Sequence, residues 1–168
     1  MRRFILAVDR LLGHIESVLL AILVTAITAV TFAQVFTRYV LVDPLIWSEE
    51  VARYLFVWIT LIGAATAVRA NGHFGLDIAR RFFPRLRSVL GILTMSIVAI
   101  FLAILLYTGV NETRQAALQI SPALQVRMHW VYLAIPVGAA LALWHVLAHW
   151  VRAGPAAHPL DQLKVAGS

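Results

Sequence analysis

Four long apolar stretches, broken by short polar punctuation, dominate the pattern along this chain. They run from about Ser17 to Val40, Trp47 to Val68, Val89 to Val110 and Trp130 to Val151. A helix of about 20 residues, rising ~1.5 Å per residue, crosses a ~30 Å hydrocarbon core. Backbone groups in lipid must be satisfied inside their own segment. The pattern therefore predicts an all-α membrane protein with four transmembrane helices. It places a four-helix domain over residues 1-152 and a cytoplasmic tail over 153-168. The first run follows Arg2, Arg3 and Arg10, as the core of a signal peptide would. It is much longer than the ~7–15 apolar residues of such a core, so a retained span is expected.

Composition and charge sharpen this picture. The 168 residues are 61% hydrophobic and 13% charged, against roughly 25% charged in a soluble domain. The formal charge of +6 does not indicate nucleic acid, because in a membrane protein the placement of basic residues matters more than their sum. Arg2, Arg3 and Arg10 precede the first run. Arg69, Arg80, Arg81, Arg85 and Arg87 lie between the second and third, and Arg152 and Lys164 follow the fourth. The opposite side has no basic residue from Leu41 to Ile46, and only Arg114 and Arg127 in its second loop. The bias predicts both termini in the cytoplasm of a multi-pass protein. There is no cysteine, hence no disulfide, thiol chemistry or thiolate metal site.

Polar residues inside or beside the spans are candidates for function, since charge is costly in hydrocarbon. The run Trp47-Ser48-Glu49-Glu50-Val51-Ala52-Arg53-Tyr54 opens the second span, after Asp43-Pro44, which reads as an N-cap and first helical residue. Trp47, Glu50, Tyr54, Trp58 and Leu61 fall on one face. Glu49 and Glu50 each reach Arg53 at helical spacing and lie where the helix dipole favours negative charge. An interfacial ion pair, a tryptophan anchor and a helix start account for most of this. They leave one carboxylate to be satisfied by an outside base, a lipid amine or water. Gly63 and Ala67 suit a close helix crossing. Ala21, Thr25, Ala29, Ala33 and Thr37 form a small-residue stripe that fits helix packing, with Thr31 and Gln34 beside it.

Between the second and third spans, Leu76, Ala79, Phe82 and Phe83 oppose Asp77, Arg80 and Arg81, predicting a short amphipathic interfacial helix ended by Pro84. His73 and Asp77 read as a surface cap or a pH-sensitive pair. Glu112 to Leu118 continues the third span before Ser121-Pro122, and Pro136 with Gly138 predicts a kink in the fourth.

Enzyme chemistry is missing: there is no Ser/His/Asp set, no HExxH and no phosphate loop. His145 and His149, four apart, read as interfacial rather than as metal or haem ligands. The centres of the spans lack charge, which disfavours a self-contained transporter. A small homo-oligomeric transporter and a haem-binding anchor stand as alternatives to a protein that binds another membrane protein.

The order of these pieces resembles the small permease subunit of tripartite ATP-independent periplasmic (TRAP) transporters, the DctQ-like subunit. The resemblance runs from about Arg10 to Trp150. It rests on Trp47 to Tyr54, Phe56-Val57-Trp58, Gly63-Ala64-Ala65, Arg69, His73 and Asp77. It continues through Ser121-Pro122-Ala123-Leu124, Trp130-Val131-Tyr132 and Pro136-Val137-Gly138. Arg127 departs from the apolar or proline residue expected there. The resemblance implies a bacterial inner-membrane subunit of a sodium-driven importer of organic acids. A large permease (DctM-like) would carry substrate and sodium, and a periplasmic binding protein (DctP-like) would deliver the substrate. This chain would then need no cofactor and would brace the large permease. Trp47, Glu49, Glu50, Arg53, Tyr54, Trp58 and Gly63, with His73, Asp77, Arg80 and Arg81, are expected to face that partner or a phospholipid. Glu112, Arg114 and Arg127 are expected to meet the binding protein.

Overall fold

The computed structural model describes residues 2–71 and 87–153. The expected interfacial helix with His73, Asp77, Arg80 and Arg81, and the tail from 154 onward, lie outside the described residues. Helix α1 spans Arg2–Phe36 and passes directly into a wider, π-helical turn, Thr37–Leu41. Helix α2 spans Ser48–Asn71, and α3 spans Arg87–Gln115 with a tighter turn, Ala116–Leu118, at its end. A four-residue helix α4, His129–Tyr132, leads into α5, Ala134–Ala153. Among the described residues four helical segments are long and apolar enough to cross a membrane. This is a multi-span membrane protein.

The helices run alternately up and down. The 42–47 and 116–128 connections lie at one end, called here the loop end. The first and last described residues lie at the other, the terminal end. Helix α5 is the hub: it packs on α2, on α3 and more lightly on α1, while α1 otherwise leans on α2. Half of the most apolar stretch of α5 is buried, whereas none of that of α1 is. Ala65, Leu102, Ala142 and Val146 form the centre, with Val68, Met95, Val98 and Ala99 against them.

Small residues permit two close contacts with neighbouring helices. A Cβ on Gly138 would lie 2.9 Å from the Leu61 Cβ and 3.0 Å from its carbonyl oxygen. A Cβ on Gly109 would lie 2.7 Å from the Ile135 methyl and 3.1 Å from the Pro136 ring. The α2–α5 crossing is thus built on Gly138, and Gly63 faces open space instead. The expected disturbance of the fourth span is present: helical structure breaks at Leu133, just before Pro136, whose ring nitrogen has no hydrogen to donate. Ser and Thr hydroxyls facing away from the bundle find acceptors within their own helices. Thr25, Thr28, Thr31, Thr60 and Thr108 each donate to the carbonyl four residues back at 2.8–2.9 Å. Their flanks therefore remain compatible with lipid.

Helix α1 begins well before the apolar run does. With its π-helical turn it has 40 residues, about 60 Å at ~1.5 Å per residue and well beyond a ~30 Å core. Its polarity is inverted relative to a helix in water. The buried residues are Asp9, Gly13 and Glu16, while Phe4, Leu11, Ile15, Val18 and Ile22 are exposed. The apolar run begins only at about Ser17, whereas the helix already contains Asp9 and Glu16. The helix continues through them because they are paired inside.

The crossing yields a stability prediction. Gly138→Ala should destabilise the protein by about 1–3 kcal/mol through overpacking against α2 backbone, whereas Gly63→Ala should leave it unchanged. Thermal unfolding in mild detergent compares the two directly.

Candidate functional site

At the loop end the polypeptide leaves α1 through Val42, a β-branched residue at φ 57°. Asp43 and Pro44 stay outside the helix, and α2 begins only at Ser48. The Leu45 carbonyl accepts from both the Ser48 N–H, at 3.2 Å, and its hydroxyl, at 2.6 Å. This turn replaces the Asp43-Pro44 start that the sequence suggested. It puts Glu49 and Glu50 in the first turn of α2, on different faces.

Glu50 points inward and is buried; Glu49 is exposed. One Glu50 oxygen accepts the backbone N–H groups of Ala123 and Leu124, at 3.0 and 2.8 Å. The other accepts the Tyr54 hydroxyl, which also lies 3.2 Å from the Met128 sulfur. The segment so gripped is a small hairpin-like loop. Ser121 N–H donates to Val126 carbonyl at 2.9 Å, Met128 N–H donates to Gln119 carbonyl at 2.9 Å, and Val126 N–H donates to the buried Ser121 hydroxyl at 3.2 Å. Gln125 closes the turn at φ 55°. Glu50 therefore finds its partners in backbone amides of this chain, not in a base. A carboxylate accepting several N–H groups is a strong anchor, because such charge-assisted bonds exceed neutral ones.

Glu49 instead accepts from Gln34 Nε2 at 3.3 Å, tying α1 to α2. Among the described residues no ion pair joins Arg53 to either glutamate, and Arg53 is exposed. It borders a groove of about 250 Å³ lined by Tyr54, Val57, Met128, Val131, Tyr132 and Ile135. Trp47 is partly exposed at the same end and Trp58 is half-buried on α2. Glu112, Arg114 and Arg127 are all exposed around the loop, and Ile120 and Arg127 pair across its base. Leu118, Ile120 and Trp130 add an exposed apolar rim.

The terminal end holds a second polar centre that the sequence reading did not assemble. His145 of α5 is buried between two carboxylates of α1. Its Nδ1 lies 2.7 Å from Asp9 Oδ1 and its Nε2 lies 2.8 Å from Glu16 Oε1. The other Glu16 oxygen accepts the Thr66 hydroxyl at 3.3 Å, and Arg69 Nε lies 3.6 Å from Asp9 Oδ2. Asp9, Glu16 and His145 are 1%, 2% and 2% exposed, so water does not screen these charges. The Arg69 guanidinium crosses α1 over Gly13, where any Cβ would collide with it. His145 had read as an interfacial residue and Arg69 as one of the cytoplasmic charges. A usable signal was present: Asp9, Gly13 and Glu16 lie four and three apart, one helix face, in otherwise apolar sequence. No group of three or more His, Asp or Glu is arranged to hold a metal among the described residues.

Residues 27–154 match the family described as tripartite ATP-independent periplasmic transporters, DctQ component. The chain belongs to this family. It is 27% identical over 139 residues to the sialic acid TRAP transporter small permease protein SiaQ of Vibrio cholerae, covering 82% of this chain and 80% of that one. It is 28% identical over 165 residues to the C4-dicarboxylate TRAP transporter small permease protein DctQ of the same organism, covering 83% and 71%. It is also 28% identical over 137 residues to the sialic acid TRAP transporter permease protein SiaT of Haemophilus influenzae, spanning 81% of this chain but only 22% of that protein. As a small permease component this DctQ-family chain is not an enzyme. The matched segment contains Glu50, Tyr54, the 119–128 loop and His145, while Asp9 and Glu16 precede it.

Two variants test the two centres. Leu124→Pro removes one donor to Glu50 and should raise protease cleavage and hydrogen exchange in the 119–128 loop, whereas Ala123→Gly, which keeps its N–H, should not. His145→Leu strands two buried carboxylates and should lower stability by about 3–5 kcal/mol, read as a large drop in the unfolding midpoint in detergent.

Proposed function

We propose that this chain is the small subunit of a sodium-driven TRAP importer of organic acids, lying in the bacterial inner membrane with both termini in the cytoplasm. Its task is to brace the stationary part of a large permease, and substrate and sodium are handled by that partner. The reading is carried by α1: its most apolar stretch has no buried residue, and the small side chains Ala21, Thr25 and Ala29 are exposed along it. Both ends of this helix are nevertheless tied to the bundle, by Gln34–Glu49 at one end and Asp9–His145–Glu16 at the other. A rigidly held helix with an open small-residue face suits close packing by another membrane helix.

The same logic assigns the loop end. Trp47, Trp58 and Gly63 lie on the flank offered to the large permease. Arg53, exposed and without an ion pair among the described residues, binds a phospholipid phosphate or an acidic group of that partner beside the Tyr54 groove. Glu50 acts through the loop: it fixes the backbone that carries Arg127, which with Glu112 and Arg114 at the end of α3 meets the periplasmic binding protein. His73, Asp77, Arg80 and Arg81 anchor the opposite membrane surface. The substrate is an organic acid, of the sialic acid or C4-dicarboxylate kind that the relatives' names specify.

A pull-down of tagged protein from its native membrane in mild detergent tests this reading. A stoichiometric partner with many spans is expected. Ala29→Leu should cut the yield of that partner at least several-fold while leaving the unfolding midpoint of the isolated subunit unchanged. Recovery of a lone homo-oligomer that transports in liposomes would overturn the scaffold and favour a self-contained transporter.

A further inference from the structure

The first turns of α1, at the terminal end, form an arm with three faces. One is used by the bundle: Asp9, Gly13 and Glu16 are buried on it, with His145, Thr66 and Arg69 against them. These contacts fix the rotation of the arm, so the directions of its other two faces are fixed as well. Arg3, Arg10, His14 and Ser17 recur at spacings of seven, four and three and are exposed together on one flank. Phe4, Leu11, Ile15 and Val18 recur at the same spacings one residue on, and make a separate apolar flank that is 47–69% exposed. Both acids of the segment, Asp9 and Glu16, are turned inward, and among the described residues no ion pair engages Arg3 or Arg10. The arm precedes residues 27–154, the segment that places the chain in its family, so membership assigns it nothing.

The depth of the arm follows from the length of α1. From Gln34, bonded to Glu49 in the first turn of α2, a rise of about 30 Å at ~1.5 Å per residue ends near Gly13. That is the thickness of the hydrocarbon core, so the helix before Gly13 continues into the headgroup layer. Bulk water would leave the apolar flank unsatisfied, and hydrocarbon would leave the arginines so. The boundary between them satisfies both flanks at once, with arginine stems against acyl chains and guanidinium heads among the headgroups. The acceptors that match a guanidinium at this depth are phosphate oxygens. We infer that the arm is a binding surface for anionic phospholipid, with headgroup phosphates on Arg3 and Arg10 and acyl chains along Phe4, Leu11 and Ile15. Two guanidinium groups with no carboxylate on their flank select a headgroup of net negative charge over a zwitterionic one. The inference stands apart from the bracing of a large permease and does not need one to be present.

The chain has no cysteine, so Ala7→Cys, an exposed position between the two arginines, carries a single fluorophore on the arm. The full chain, with any co-purifying subunit retained, is placed in vesicles of phosphatidylcholine and phosphatidylglycerol. One lipid at a time bears a nitroxide on its acyl chain, and the quenching reports which lipid lies against the arm. Phosphatidylglycerol should quench as though enriched about fivefold over phosphatidylcholine, the weight of one basic residue at an anionic surface. About 1 M salt, where the Debye length is ~3 Å, should remove most of that preference. The double variant Arg3→Gln/Arg10→Gln should bring the ratio close to one. Arg3→Lys/Arg10→Lys should keep it, which separates loss of charge from loss of fold. Equal quenching by the two lipids in the parent overturns the inference, as does a preference that survives in the glutamine variant or disappears in the lysine variant. Quenching by neither lipid puts water or a protein against the arm and overturns it too.

Discussion

A carboxylate withdrawn from water must find its donors inside the protein, and the fold of this chain depends on that constraint being met at both ends. Glu50 meets it with two backbone amides and a tyrosine hydroxyl, and so joins α2 to the loop between α3 and α4. Asp9 and Glu16 meet it with His145, Thr66 and Arg69, and so join α1 to α2 and α5. Between these ends the helices touch through small residues and a modest apolar centre. Lipid offers helices no net hydrophobic drive to associate, so packing and buried polar contacts supply the adhesion. Each polar centre is also directional, and together they fix the rotation of three helices as well as their proximity.

Much of this architecture was legible in the sequence. Uninterrupted apolar runs are a strong signal because hydrocarbon thickness fixes their length, and the four runs coincide with helices whose ends shift by a few residues. The exception is α1, which starts some fifteen residues before the expected span. The apolar run marks only where hydropathy rises, and the paired charges ahead of it do not end the helix. The sequence pointed to Glu49 and Glu50 together, with one carboxylate needing a partner outside its helix, and did not distinguish them; Glu50 is the buried one. The expected partners were an outside base, a lipid amine or water, whereas the donors include the N–H groups of Ala123 and Leu124, which every residue except proline possesses and no composition reveals. His145 was misplaced because histidine near a helix end is normally wet; only the approach of α1 makes its environment dry. Gly138 was read as a source of bending, and its larger effect is to admit Leu61 of α2.

The family relationship and the geometry bear on different questions. Membership in the DctQ family sets the general role, while the relatives' names point to chemically different acids, sialic acid in one and C4-dicarboxylates in another. A small subunit can serve both if it never handles the acid. Glu50 at one end of the described bundle and Asp9, Glu16 and His145 at the other are engaged in holding helices or a loop. None is left lining a passage between them.

The grip of Glu50 on the 119–128 loop has an evolutionary consequence. It is made to main-chain amides, so it specifies the path of the loop but is indifferent to the side chains that the loop displays. Pro122, Ala123, Gln125 and Val126 point to the surface and are not consumed by the anchor. Their identities are free to drift, provided that positions 123 and 124 keep their hydrogens. A single acidic residue can thereby hold one loop geometry whatever side chains the loop displays, so substitutions at these surface positions can change its chemistry while leaving its stability alone.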